Sequence, residues 1–177
     1  MKKGFTFIEI LVVLAVISFT LPSLFAIIFT ILQQETRIYA LKDIKQQGDY
    51  ALENMKFNIQ QKGIRVVDVT YTNDVCPILT NPITTPIPTP APRINVIDTE
   101  LNTFSYYVDL EHKIASQSSV GAISYLTNTR VKIQNEGFTC YRTSSFSPPI
   151  IITSFDITDS GSIFTLPYHF TFKLRSY

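Results

Sequence analysis

The sequence predicts an α+β chain in which one long N-terminal helix, transmembrane in its first half and amphipathic in its second, packs on a mainly antiparallel β-sheet. Three observations carry that prediction. Residues 5–32 form an apolar run whose only ionisable side chain is Glu9. A helical stripe of apolar residues continues beyond that run to about residue 62. After Gly63 the helical period stops, and β-branched and alternating segments take over.

The apolar run holds 28 residues. At about 1.5 Å per residue it would rise roughly 42 Å as a helix, more than a hydrocarbon core of about 30 Å requires. Lys2 and Lys3 precede it with no acidic residue between them. The positive-inside bias then keeps the N-terminus cytoplasmic and exports the chain beyond the run. A cleavable secretory signal has a shorter apolar core and small residues at its cut, and the end of this run, Phe29-Thr30-Ile31-Leu32-Gln33-Gln34, has no such site. Pro22 lies inside the run, where a missing N–H and a ring clash predict a kink or a locally loosened turn that hydroxyls such as that of Ser18 help to satisfy.

A plain signal anchor is the other reading of this run, but it does not explain Glu9. A carboxylate in an apolar helix costs on the order of 2.5–3.5 kcal/mol at the bilayer centre and less towards the ends, so it is expected to be neutralised, paired or functional. A cut after Gly4 would create an α-amino group at Phe5, one helical turn before Glu9, and that amine would offset the charge.

Residues 33–62 form the amphipathic half. Ile38, Leu41, Ile44, Gly48, Leu52, Met55 and Ile59 recur at steps of three and four, with Arg37, Lys42, Lys45, Asp49, Glu53 and Lys56 between them. Gly63 is placed to cap the helix. Residues 63–177 read as a β-rich domain. The segments expected to be strands include Val66, Val67 and Val69, then residues 103–110, 121–126, 130–134, 138–142, 150–157 and 168–175. Asn135-Glu136-Gly137 is expected to be a hairpin turn. Residues 76–92 interrupt the pattern with Pro77, Pro82, Pro86, Pro88, Pro90 and Pro92, which predicts a loop or polyproline-like excursion. Such a loop is either a surface for a partner or an insertion with no task of its own.

Cys76 and Cys140 are the only cysteines. In an exported domain a bridge between them would close a long loop and stabilise by about 4 kcal/mol on the chain-entropy model. Two free thiols are the other reading. Beyond Lys2, Lys3 and Glu9 the chain carries 13 basic and 13 acidic residues, so no basic excess points to nucleic acid. His112 and His169 are far apart in strand-like segments, with no metal-ligand spacing, and His169 alternates with Phe170 and Phe172, which predicts exposure. Glu111-His112 and Asp98/Glu100 form no recognisable acid–base pair, and the glycines form no phosphate loop. The expectation is a non-enzyme with no metal and no cofactor.

The string Lys3-Gly4-Phe5-Thr6-Phe7-Ile8-Glu9-Ile10-Leu11-Val12-Val13 resembles the class III leader of type IV prepilins, with Phe7 where leucine is more usual. The resemblance implies that a prepilin peptidase removes residues 1–4, cutting between Gly4 and Phe5, and N-methylates Phe5. It also implies that Glu9 serves assembly by neutralising the amine of a neighbouring subunit, and that residues 5–32 serve first as membrane anchor and then as filament core. The run from Gln47 to Ile59 and the ending Phe172-Lys173-Leu174-Arg175-Ser176 are similar to W-type minor pilins and J-type pseudopilins. The implied protein is a structural, minor subunit that initiates or caps a type IV pilus-like filament or a type II secretion pseudopilus. Its partners would be the peptidase, other pilin or pseudopilin subunits and the assembly machinery of the cytoplasmic membrane. It would be single-pass, with an extracytoplasmic domain that ends on a cell-surface or periplasmic filament. A major pilin concerned with adhesion or motility, and a membrane-anchored binding module that does not assemble, are the alternatives.

Overall fold

The computed structural model describes residues 6–68, 70, 72–79, 90–161 and 164–174. The chain divides into two compact units, Met1–Ala40 and Leu41–Tyr177. Helix α1, Phe7–Lys62, supplies the first unit and opens the second. The helix passes through Pro22 without a break in its assignment.

In the second unit eight strands follow: β1 Gly63–Val67, β2 Arg93–Asp98, β3 Thr103–Val108, β4 Ile114–Ser118, β5 Ile123–Tyr125, β6 Val131–Tyr141, β7 Ile150–Asp159 and β8 Thr165–Lys173. They form two sheets, ordered β1-β2-β3-β4-β5 and β6-β7-β8, and every pair of named strands is antiparallel. The fold class is α+β, as the helical period followed by strand alternation predicts.

The helix of this unit buries Ile44, Gly48, Ala51, Leu52, Met55 and Ile59. Ile44, Leu52, Met55 and Ile59 share one core with Val66, Val96, Tyr106, Ile133, Ile151, Phe155 and Phe172. Each fully buried aliphatic side chain contributes about 1.5–3 kcal/mol relative to exposure, so this stripe fixes the helix to the sheets. The stripe read from sequence begins at Ile38 and Leu41, but both are exposed, and burial starts at Ile44.

Three sequence expectations are corrected. Asn135-Glu136-Gly137 is no hairpin turn, because it lies within β6, where the register against β7 shifts between Gln134 and Gly137. This is a bulge, with Asn135 at φ 51° and its amide nitrogen donating to Asp156 Oδ2 at 2.7 Å. Gly63 does not cap the helix in the left-handed region but begins β1. It is required instead by space, because an added Cβ would sit 2.7 Å from the Ile59 carbonyl oxygen and 2.8 Å from Val96 Cγ1. His112 is in the β3–β4 turn with φ 59°, not in a strand. Strands β2 and β4 have no counterpart among the segments expected from sequence.

The hairpins of the first sheet share one device. In β2–β3, Leu101 N–H donates to the Asp98 carbonyl and Asp98 N–H to the Asn102 carbonyl. His112 with Asp109 and Lys113, and Gly121 with Ser118 and Ala122, repeat the pattern. Each turn places its fourth residue at positive φ, 64° for Leu101, 59° for His112 and 83° for Gly121. A tight turn closed by a left-handed residue is a common three-residue hairpin connection.

Candidate functional site

Of the residues marked by the sequence, Glu9 and Pro22 lie in the N-terminal unit and Cys76 and Cys140 in the second, while Gly4 and Phe5 lie outside the described residues. Thr6 precedes the helix, and its carbonyl accepts from Glu9 N at 3.1 Å and Ile10 N at 3.3 Å. Glu9 therefore sits in the first turn, where a carboxylate is favoured by the helix dipole. The Thr6-x-x-Glu9 spacing is also that of a capping box, a purely structural reason for an acid at this position. Glu9 is exposed and makes no ion pair among the described residues.

Beyond Glu9 the helix is apolar on all sides. Its large aliphatic and aromatic side chains between residues 7 and 32 expose from 43% to 82% of their surface. So much exposed apolar surface needs lipid or other helices around it. The stretch rises roughly 39 Å, enough to span a bilayer, and it is the one described helix long and apolar enough to do so. The four hydroxyl residues of this stretch all bond back to their own helix. Ser18 donates to the Leu14 carbonyl at 2.8 Å, Thr20 to Ile17 at 3.4 Å, Ser23 to Thr20 at 2.9 Å and Thr30 to Ala26 at 2.9 Å. That leaves no hydroxyl proton unpaired toward an apolar surrounding. The Ser18 carbonyl, which Pro22 deprives of its helical donor, is not the acceptor of the Ser18 hydroxyl.

In the second unit two features hold the helix and the proline-rich segment in place. The Tyr168 ring lies directly on Gly48. A Cβ at Gly48 would fall 2.3 Å from Tyr168 Cζ. The Tyr168 hydroxyl donates to the Lys45 carbonyl and to Asp49 Oδ1, both at 3.2 Å. Burial, and then the Asp49 carboxylate, push the Tyr168 phenol up to about 12. Tyr106, wholly buried under the same helix, is also pushed up to about 12 by burial, against hydrogen bonds from Asn58 and Ser116 that lower it. Its hydroxyl lies 3.4 Å from Asn54 Oδ1.

Cys76 and Cys140 are joined by a disulfide. Beside it Arg142 pairs with Asp74, Arg142 N–H donates to the Pro77 carbonyl at 2.8 Å, and Leu79 N–H donates to the Arg142 carbonyl at 2.8 Å. At the far side of the proline-rich segment Ala91 and Phe138 exchange backbone bonds of 2.8 and 2.9 Å. Both ends of the excursion are thus fastened to β6, while residues 80–89 lie outside the described residues. Pro90 packs over Gly137, where a Cβ would come within 2.6 Å of the proline Cβ.

Asp68 organises the turn after β1. Its Oδ1 accepts from Thr70 N–H and hydroxyl and from Thr72 N–H, and its Oδ2 accepts from the Asn73 amide. The Thr70 hydroxyl leads the causes that hold this carboxyl down at about 2, against an opposing effect of burial and with help from the Thr72 and Asn73 hydrogen bonds. Glu111 pairs with Lys113. His169 is exposed on β8, on the other sheet from the turn that carries His112. Among the described residues no group of three or more histidine, cysteine, aspartate or glutamate side chains is placed to hold a metal ion.

No protein-family model, no characterised protein and no solved structure matches the chain. One helix able to span a membrane, followed by an α+β domain, is therefore the class of protein that the sequence and fold define.

Proposed function

We propose that this chain is a structural subunit of a type IV pilus-like filament or type II secretion pseudopilus, of the minor kind that initiates or caps assembly. It is inserted in the cytoplasmic membrane through residues 5–32, cut after Gly4, methylated at Phe5 and then drawn into the filament with its β-rich domain outside the cytoplasm. The observation that carries the reading is the string from Lys3 to Val13, in which Glu9 is the one ionisable residue of an apolar helix. A further feature supports it. The helix exposes apolar surface on every side through residue 32 and then buries one face on a sheet from Ile44 onward.

The test is the intact mass of the mature protein from membranes that contain a prepilin peptidase. The expected product begins at Phe5 and carries one added methyl group. A protein that still begins at Met1 would sink the filament reading and leave a membrane-anchored domain. Abundance in sheared filaments separates a minor subunit, found in trace amounts, from a major pilin.

A further inference from the structure

The two sheets of the second unit present four outer edges, and the chain itself bonds along two of them. At β1, Val75 N–H reaches the Val66 carbonyl at 3.3 Å. Along β6, Ile133 bonds His112, Phe138 exchanges bonds with Ala91, and Arg142 bonds Pro77 and Leu79. At the third edge, β5 is only three residues long. Strand β8 is nine residues long, and no described residue bonds its outer edge.

The ladder fixes which groups face outward. Asp159 N–H bonds the Phe164 carbonyl at one end of the β7–β8 pair, and Leu174 N–H bonds the Pro149 carbonyl at the other. With the register Ile151↔Phe172 and Thr153↔Phe170, alternation makes Leu166, Tyr168, Phe170 and Phe172 the residues that exchange bonds with β7. The N–H and C=O groups of Thr165, His169, Thr171 and Lys173 then point away from the sheet, together with the carbonyl of Pro167. Pro167 stands where its missing N–H costs the ladder nothing. It removes one donor from a long exposed edge and leaves the rest.

We propose that the free edge of β8 is a docking site for an extended segment of another protein, added to the sheet as a further strand. A row of alternating backbone donors and acceptors is matched in spacing by another extended backbone. The side chains define the segment further. On the core side, Phe170 is the exposed member of a stacked row in which it lies 6.3 Å from Tyr168 and 6.5 Å from Phe172, so the added strand presents an apolar residue there. On the outer side, Lys173 is exposed and makes no ion pair among the described residues, so the strand carries a carboxylate beside it. A second copy of β8 fits less well. No acidic residue lies between Thr165 and Lys173 to meet that lysine, and Pro167 withdraws a donor from each copy. The inference stands apart from the leader reading, because an unprocessed chain carries the same edge.

The experiment uses the full chain in lipid nanodiscs and a synthetic probe peptide, Glu-Val-Thr-Val-Thr-Val-Thr-Val-Thr, with binding read by amide hydrogen exchange and titration. The peptide is expected to slow exchange at His169, Thr171 and Lys173 while leaving the already bonded amides of Tyr168 and Phe170 unchanged. Thr171→Pro, which copies at 171 what Pro167 already does, is expected to weaken the peptide by about tenfold or more. Thr171→Val is expected to bind like the parent. Absent protection at these three amides, or equal binding to Thr171→Pro, overturns the proposal. Self-association without peptide that Thr171→Pro abolishes would assign the edge to a second copy and overturn the proposed occupant. Should Thr171→Pro fail to fold, the exchange pattern of the parent chain decides alone.

Discussion

Tyr168 occupies the space that a side chain at Gly48 would need, and its hydroxyl bonds the helix on either side of that glycine, at the Lys45 carbonyl and the Asp49 carboxylate. The ring is also stacked on Phe155, with centroids 5.3 Å apart, so it cannot swing away freely. Glycine within a helix ordinarily costs about 1 kcal/mol relative to alanine. Here that cost permits close contact between helix and sheet. Gly48→Ala is accordingly expected to destabilise, by about 1–2 kcal/mol net of the helical gain, because a well-packed contact must be displaced. Tyr168→Phe should lose about 1 kcal/mol through its hydrogen bonds alone. In the double variant Gly48→Ala with Tyr168→Ala, the alanine at 48 should no longer be harmful. Urea unfolding of the parent, Gly48→Ala, Tyr168→Phe, Tyr168→Ala and the double variant checks this, and a stabilised Gly48→Ala single variant would refute the packing account.

The same helix seat predicts an alkaline limit. Tyr106 and Tyr168 both hold their protons to about pH 12 in the folded chain, against about 10 for an ordinary exposed phenol. Each is an acid whose neutral form the fold favours. Their contribution to stability is therefore full below about pH 10 and is lost as the pH rises towards about 12, where the unfolded chain releases protons first. Tyrosinate absorbance should show two late-titrating groups, one removed by Tyr106→Phe and one by Tyr168→Phe. The melting temperature should fall through that window, and by less in each variant. Simultaneous titration of all tyrosines near the ordinary phenol value in a still-folded chain would contradict it.

How much of this was legible in the sequence depends on which force shaped each element. The helix stripe from Ile44 to Ile59 and the alternation of β8 follow from one face being buried, and periodicity reports that directly. Strand β2 lies inside the first sheet with Ile94, Asn95, Val96 and Ile97 all buried, so its sequence shows no alternation to read. Strand β4, Ile-Ala-Ser-Gln-Ser, has little strand propensity and is held by pairing with β3 and β5. The misreading of Asn135 has a local cause, because a left-handed residue before glycine serves a bulge as well as a turn. Glu9 stands out because an apolar run makes a carboxylate conspicuous. The seat of Tyr168 on Gly48 does not, because it joins residues 120 positions apart in the chain, and neither residue is unusual alone.

Leu101 closes the β2–β3 hairpin at φ 64° and is largely exposed, so it bears left-handed strain without contributing to the core. The left-handed region costs a side chain with a Cβ about 1–2 kcal/mol, part of which glycine returns as entropy of the unfolded chain. Leu101→Gly is expected to stabilise by up to about 1 kcal/mol in chemical denaturation. The same change at Gly121 in reverse, Gly121→Leu, should destabilise although nothing lies within 4 Å of its Cβ position. Equal stability in both variants would show that backbone conformation is not what selects these residues.

Thr153 lies in the second sheet, buried, and its Oγ1 has no hydrogen-bond partner among the described residues. A buried hydroxyl without a partner forfeits its hydration with nothing in return. Thr153→Val keeps the shape and removes the polar atom, so it should stabilise by about 1 kcal/mol. Thr153→Ser keeps the orphan and removes a methyl, so it should destabilise by about the same amount. If the valine variant is the less stable one, the hydroxyl has a partner in solution.

Glu9 carries two candidate roles that one pair of variants separates. As a first-turn acid it favours the helix through the dipole, worth about 0.3–1 kcal/mol, and glutamine would retain some helix-capping capacity while lacking the charge. As the counter-charge for a neighbour's N-terminal amine it needs the charge itself. Glu9→Ala and Glu9→Gln are therefore both expected to be processed at Gly4 yet to be missing from sheared filaments. If only the capping role mattered, Glu9→Gln would enter filaments close to the parent level. The readout is the ratio of processed subunit in membranes to subunit in filaments. A Glu9→Ala chain that assembles like the parent would remove Glu9 from the assembly step and leave it as a helix-terminal residue of a membrane anchor.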